Sequence, residues 1–352
     1  MPVTLTQLSD LATLGFDAII DVRAPAEYAE DHLPGAISLP VLSDAERAEV
    51  GTIYKQESPF KARKVGGALV AANAAKHLQG PLADKEGGWR PLVYCWRGGQ
   101  RSGSFATILS QVGWRVDTIA GGYRAWRGLV VQALYHAPFR HRLILLDGNT
   151  GSAKTELLAR MAAKGAQVID LERLARHRGS LFGAMPGGQP SQKAFEGALA
   201  LELARLDPAR PVLVEAESAK IGSCRLPPRL WQAMQVAPRL SIAAAASERA
   251  AYLCRSYADL TSDRDRLVRI VASLRPLHAA EQIDEWIGLA ERGDFPTLAE
   301  GLMIRHYDPR YTRHRARAAV PVIDLTAQRL DESGLVDLTE RLMESMARLA
   351  VQ

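Results

Sequence analysis

Arg142-Leu143-Ile144-Leu145-Leu146-Asp147 runs without a break into Gly148-Asn149-Thr150-Gly151-Ser152-Ala153-Lys154-Thr155, and Thr155 to Ala163 continues with helical spacing. A strand, a glycine-containing loop and a helix in that order leave few folds open, because backbone N–H groups cradle a phosphate only where a strand delivers the chain to a helix N-terminus. The loop departs from G-x-x-x-x-G-K-[ST] at one position, Ala153, where glycine is usual. Gly148 and Gly151 still allow the tight path, Lys154 can reach terminal phosphates, and Thr155 can offer its hydroxyl to magnesium. Gly148, Asn149, Thr150, Gly151, Ser152, Ala153, Lys154 and Thr155 are therefore the phosphate- or diphosphate-binding candidates.

A second anion-binding loop lies upstream. Cys95-Trp96-Arg97-Gly98-Gly99-Gln100-Arg101 follows the apolar run Pro91-Leu92-Val93-Tyr94 and precedes a helix beginning near Ser102. A thiol at the mouth of such a backbone nest, beside Arg97, Arg101 and a helix N-terminus, is favoured as thiolate and can hold an oxyanion or a persulfide. Cys95, Arg97, Arg101 and Lys154 are thus the catalytic candidates. Ala18-Ile19-Ile20-Asp21-Val22 and Val116-Asp117-Thr118-Ile119-Ala120 read as further strands alternating with helices, which predicts an α/β fold with a parallel sheet.

At 352 residues with 47% hydrophobic composition the chain exceeds one hydrophobic core. Two domains are expected, 1–135 and 138–352, divided where a helix from about Tyr123 to Leu134 ends at Pro138. Past Leu240 the pattern is mostly helical, with a late strand at Val322-Ile323-Asp324-Leu325 and a closing amphipathic helix from Leu335 to Leu349. Neither a signal sequence nor an apolar run of about eighteen residues is evident, so a soluble, cytoplasmic protein without a membrane partner is expected. Cys95, Cys224 and Cys254 are too far apart for a disulfide framework or a paired-cysteine zinc site. The net charge of +5 suits a polyanionic partner.

Residues 5 to 130 resemble the rhodanese family through Asp21-Val22-Arg23 with Glu27-Tyr28, His32-Leu33-Pro34-Gly35-Ala36, the strand into Cys95, and Ala120-Gly121-Gly122-Tyr123-Arg124-Ala125-Trp126. The resemblance implies that Cys95 carries sulfur or selenium as a persulfide-like intermediate. The Cys95 to Arg101 loop is one residue longer than in many of that family's sulfurtransferases. Its Cys-x5-Arg spacing also resembles the dual-specificity phosphatases that share the rhodanese fold, so a phosphatase stays open.

Downstream, Pro211-Val212-Leu213-Val214-Glu215-Ala216-Glu217-Ser218 reads as a strand ending in carboxylates, with Glu215 and Glu217 on one side, where a nucleotide-binding protein holds its metal and water shell. Neither is the usual aspartate, which argues against ordinary ATP hydrolysis. His177-Arg178-Gly179-Ser180-Leu181-Phe182-Gly183 and Gln189-Pro190-Ser191-Gln192-Lys193-Ala194-Phe195-Glu196 cluster glycines, hydroxyls and cations as a ligand-contacting loop does. Arg178, Ser180, Gln192, Lys193, Glu215 and Glu217 are the further substrate-binding candidates. Together with both loops these segments resemble the tRNA 2-selenouridine synthase family over nearly the whole chain.

That resemblance implies a rhodanese-like parallel-sheet domain followed by a P-loop NTPase-like α/β domain with a helical C-terminal region. It also implies a tRNA-modifying transferase that converts wobble 2-thiouridine to 2-selenouridine through an S-geranyl intermediate. Geranyl diphosphate and selenophosphate would be substrates, with no tightly bound cofactor, magnesium an option, and a selenophosphate-supplying enzyme a candidate partner. Lys154 and the N–H nest would take up the diphosphate's developing charge. Cys95 would receive or hold selenium, or only assist its attack, while Arg97 and Arg101 neutralise phosphate. Leu181, Phe182 and Met185 are candidate walls for the geranyl chain and equally good core residues. For tRNA, the candidates are Arg305, Tyr307, Arg310, Tyr311, Arg313 and Arg315, where arginines meet phosphates and tyrosines can stack on anticodon-loop bases. A second basic stretch, Arg225 to Arg239, reads as a proline-interrupted loop. The alternative function is an ATP-dependent kinase with a regulatory rhodanese domain of sulfurtransferase or phosphatase type.

Overall fold

The structure, a computed structural model, describes residues 2–309 and 320–351. Its contacts divide the chain into two units: residues up to Pro138 together with Pro190–Arg205, and Phe139–Gln189 together with Leu206 onward.

In the first unit, β1 (Ala18–Asp21), β2 (Ala36–Ser38), β3 (Pro91–Tyr94) and β4 (Asp117–Thr118) form a parallel sheet in the order β2-β1-β3-β4. Strand β3 is buried along its whole length, as a central parallel strand covered on both faces must be. The core gathers Ile20, Val22, Val93, Phe105, Leu109 and Trp114. The motif Asp21-Val22-Arg23 sits within it as a buried ion pair: Arg23 Nε donates to both Asp21 oxygens at 3.0 Å, and Tyr94 Oη donates to Asp21 Oδ2 at 2.7 Å. Arg23 also donates to the Asp31 carbonyl and stacks over the Tyr123 ring, 4.2 Å from its centroid. Charges so buried are tolerable only when paired and fully hydrogen-bonded, and this network ties β1, β3 and the Gly122–Val131 helix together.

The helix Gln192–Arg205 groups by its contacts with the first unit. By sequence it falls in the second domain; in the structure it packs with the first. Glu196, itself buried, pairs with Arg127 and accepts from Tyr135 Oη at 2.6 Å, and Lys193 pairs with Glu30. The helix that closes the segment up to Pro138 runs Gly122–Val131 and continues as one wider π turn, Gln132–His136.

The second unit holds β5 (Leu143–Gly148), β6 (Gln167–Ile169), β7 (Val212–Glu215), a short antiparallel hairpin β8 and β9 (Lys220–Ile221, Cys224–Arg225), β10 (Arg239–Ala244) and β11 (Val322–Ala327). The five long strands are parallel in the order β11-β10-β5-β7-β6. β5 is central and delivers its loop to the carboxyl edge, where open α/β sheets bind ligands. Helices Lys154–Ala163 and Glu332–Val351 cover the core of Leu146, Leu158, Leu240 and Leu338. A separate helical cluster around Trp286, Leu267, Leu289 and Leu298 follows β10.

The Arg225 to Arg239 stretch is not a loop throughout. Pro228 occupies the first turn of a helix, Pro228–Val236, where its missing N–H is harmless, and Arg239 opens β10. There it is buried in an ion pair with Asp147 (2.9 Å), so it is no part of a basic surface. Among the described residues no helix is long and apolar enough to cross a membrane.

Candidate functional site

Cys95 leaves β3 into a loop whose path is set by glycines. Gly98 (φ +67°) and Gly122 (φ +57°) press backbone on backbone: a Cβ at Gly98 would lie 2.5 Å from the Ile119 carbonyl, and one at Gly122 would strike the Cys95 carbonyl and stand 2.6 Å from Gly98 N. Tyr123 N donates to the Cys95 carbonyl at 2.9 Å, locking the Gly121-Gly122 turn onto the cysteine loop. Inside, the thiol accepts from Gly99 N at 3.3 Å and Ser102 Oγ at 3.2 Å. Burial opposes its ionisation, but the Ser102 hydroxyl and the backbone N–H groups of Ser102, Arg97 and Gly99 outweigh it and hold the thiol below its ordinary pKa.

Arg97 is exposed beside this nest. Arg101 is differently engaged: its guanidinium bonds Glu27 Oε2 at 2.7 Å, and Arg47 reaches the same oxygen at 3.2 Å. Glu27 is held below the usual carboxylate range because those cations overcome its burial. Arg101 therefore braces the loop against the Pro25–Glu30 helix, while Arg97 stands exposed on the cysteine loop itself.

In the second unit, the loop after β5 folds as the phosphate-binding pattern demands. Ala153 sits at φ 61°, ψ 23°, the left-handed conformation that explains why glycine is usual there. Gly151 (φ +83°) packs against Arg249, and a Cβ there would lie 2.9 Å from that residue's carbonyl. Lys154 Nζ donates to the Gly148 carbonyl at 2.7 Å, and Arg249 Nη1 ties the Thr150 carbonyl at 3.1 Å while pairing with Asp308.

The loop opens on a cleft of about 890 Å³ lined by Thr150 to Glu156, Glu172, Arg178, Gly179, Glu217 and Tyr257 among others. Thr155 Oγ1 donates to Glu172 Oε2 at 3.0 Å. Burial and the neighbouring Glu217 push the Glu172 carboxyl up to about 8, and burial likewise raises Glu217. Gly179 makes room for both, since a Cβ there would stand 2.7 Å from Glu217 Oε1 and 2.8 Å from Glu172 Oε1.

Two family models match this chain: a rhodanese-like domain over residues 4–129 and a tRNA 2-selenouridine synthase AAA domain over 141–271. The tRNA 2-selenouridine synthase of Aeromonas salmonicida (strain A449) is 36% identical over 338 residues, covering 86% of this chain and 89% of its own. The chain belongs to the tRNA 2-selenouridine synthase family. The enzyme of that name from Bordetella bronchiseptica is 33% identical over 345 residues, 88% of this chain and 91% of its own.

On this selenouridine synthase scaffold the residues named from sequence separate. Thr150 to Thr155, Arg178, Ser180 and Glu217 line one cleft. Gly148, at the end of β5, offers its carbonyl to Lys154, while Asn149 begins the turn closed by Ser152 N. Arg178 is steered by Asp259 (2.9 Å) and the face of Tyr257 (4.5 Å). Glu215 does not share the cleft: it is buried, raised well above the usual range by burial and the nearby Asp170 and Glu172, and accepts from Glu172 N at 2.7 Å. It and Glu217 are thus not alternating partners on one strand face, because β7 ends at Glu215.

Gln192 and Lys193 lie in the first unit, where Gln192 donates to Glu196 at 2.8 Å, so neither joins the cleft lining. Tyr307 packs inward against the helical cluster and lines an apolar cavity, which removes it as an exposed stacking platform; Arg305 is exposed and donates to Gln282. Arg310, Tyr311, Arg313 and Arg315 lie outside the described residues.

Sequence reasoning missed Glu172 and Arg249. Asp170-Leu171-Glu172 directly follows β6, and acids just past a parallel strand's carboxyl end were the available signal. Arg249 reaches Thr150 across 99 positions and has no local signature.

Proposed function

We propose that this transferase converts 2-thiouridine at the tRNA wobble position to 2-selenouridine in two half-reactions, with geranyl diphosphate and selenophosphate as substrates. The observation that carries the reading is the pairing, on one chain, of a thiol held below its ordinary pKa and a phosphate nest opening on a large cleft.

In the first half-reaction the thiouridine sulfur attacks C1 of geranyl diphosphate. The C–O bond breaks, diphosphate leaves with the electron pair, and the base loses its N3 proton. The nest from Gly148 to Thr155 receives the leaving group, and Lys154 shifts from the Gly148 carbonyl to the diphosphate as charge develops. Magnesium would be held in this cleft by the oxygens of Thr155, Glu172 and Glu217, the crowding that raises the two carboxyls being what a cation would relieve by favouring their ionised form; when bound it supplies neutralisation of the diphosphate.

In the second half-reaction selenium bonds to C2, geranylthiol departs with the S–C electron pair, and water takes the phosphoryl group. The nest around Cys95 serves this step, with the thiolate assisting selenium delivery and Arg97 meeting phosphate. The charge of Arg305, Arg310, Arg313 and Arg315 suits the tRNA backbone, and binding through it weakens as salt rises.

The test incubates the protein with thiolated tRNA, geranyl diphosphate and selenophosphate and identifies the digested nucleosides by mass spectrometry. Cys95→Ala should accumulate the geranylated nucleoside without selenouridine, and Lys154→Ala should impair geranylation. Intact selenation by Cys95→Ala refutes the role of the first loop. Preference for ATP over geranyl diphosphate in titrations favours the kinase reading instead.

A further inference from the structure

Beside the phosphate cleft lies a second, smaller cavity of about 80 Å³, walled by Phe182, Leu253, Leu260, Leu298, Leu302 and Met303. The two are continuous in their walls: Thr150, from the phosphate loop itself, and Ser180, Leu253 and Tyr257 line both. We propose that this cavity seats the distal end of the prenyl chain and that Ala299, on the helix Phe295–Leu302, sets the chain length the enzyme accepts. The inference rests on the geranyl diphosphate reading above and adds to it the chain's location and the residue that measures it.

The argument is one of chemistry and size. A molecule with its phosphates in the nest that extends past Thr150 and Tyr257 toward the helix Phe295–Leu302 enters a chamber whose walls are almost wholly aliphatic and aromatic carbon. A nucleoside placed there would lose water from its base and ribose without finding matching partners, whereas an isoprenoid loses nothing. An apolar cavity of roughly 150 Å³ takes up benzene, so about 80 Å³ admits three or four carbons, the branched isopropylidene end of a chain. The first isoprene unit then lies along the wall of the larger cleft, and a ten-carbon chain fits where a fifteen-carbon chain overruns. Of the walls considered from sequence, Phe182 is buried and lines this cavity; Leu181 is exposed, and Met185 lines the cleft instead.

Two measurements test the proposal. Cys254 also lines the cavity, so its labelling by N-ethylmaleimide in the intact protein, mapped by peptide mass spectrometry, should be slowed by geranyl diphosphate and not by inorganic pyrophosphate. Ala299→Leu should raise the KM for geranyl diphosphate by about tenfold or more, in line with single-methylene discrimination in apolar pockets, while leaving that for dimethylallyl diphosphate and the inhibition by pyrophosphate nearly unchanged. Leu302→Ala should shift preference toward farnesyl diphosphate and keeps the idea testable if Ala299→Leu fails to fold. Geranyl transfer by the wild type with no change in chain-length preference in either folded variant, or equal protection of Cys254 by pyrophosphate, overturns the cavity assignment alone. Failure of the wild type to bind or transfer any prenyl diphosphate overturns it together with the function it rests on.

Discussion

Substituting alanine at three glycines of the first unit should separate backbone conformation from collision. Gly15, Gly121 and Gly122 all have positive φ, at +64°, +72° and +57°. An alanine forced into that region costs about 1–2 kcal/mol. At Gly15 nothing lies within 4 Å of the added Cβ, so that is the whole penalty. At Gly121 the new methyl meets the Ala125 Cβ at 3.0 Å, a contact the helix relieves by a small shift. At Gly122 it meets the Cys95 carbonyl and Gly98 N, both backbone, and neither can swing away. Overpacking of that kind adds about 1–3 kcal/mol, which brings Gly122→Ala to roughly 2–5 kcal/mol. With a urea slope of about 2 kcal/mol/M the midpoint falls by about 1–2.5 M for Gly122→Ala and by about 0.5–1 M for Gly15→Ala, with Gly121→Ala between them. Tryptophan fluorescence follows the transition, since Trp89, Trp96, Trp114 and Trp126 belong to the first unit. Pushing the Cys95 carbonyl also opens the nest around the sulfur, so Gly122→Ala should slow thiol alkylation at neutral pH while Gly15→Ala does not. Equal midpoints for Gly15→Ala and Gly122→Ala would refute the claim that the two glycine loops interlock through backbone contact.

Two further outcomes follow from the same unit. Because hydrogen bonding to the sulfur holds the Cys95 thiol below its ordinary pKa, its alkylation rate rises with pH earlier than that of a free cysteine, and Ser102→Ala should move the rise to higher pH; an unchanged profile contradicts the role given to Ser102. Arg23→Met strands Asp21 in the core and should destabilise the first unit by about 3–5 kcal/mol in urea titration, whereas a loss below about 1 kcal/mol would mean the pair behaves as a surface ion pair.

What the sequence displayed and what it hid divide along the range of the interactions. The strands entering Cys95 and Gly148 were legible because a buried parallel strand is a short apolar run, and the loops because their glycines serve local backbone needs. That the helix Gln192–Arg205 packs with the first unit is not legible in the sequence, because its partners, Arg127 and Tyr135, stand 69 and 61 positions from Glu196, and helical periodicity does not say which surface a helix joins. Arg239 looked like part of a basic surface for a similar reason: only β10 pairing with β5 reveals that its charge meets Asp147 inside the sheet. Glu217 and Glu215 looked equivalent by alternation, yet the strand ends between them and sends one to the cleft and the other to the Glu172 backbone.

Ala153 shows where letters and physics part. By sequence it weakens the phosphate-loop motif, since glycine is usual at that place. In the structure it adopts the left-handed backbone that the place requires, at about 1–2 kcal/mol, and its buried methyl joins Leu146, Leu157 and Leu158, an apolar contact that returns roughly 0.8 kcal/mol. A glycine would avoid the strain but would lose the methyl and order a freer unfolded chain, so the two residues come out nearly even. The nest depends on the dihedral angles at 153 and on the N–H groups they aim, and alanine supplies both.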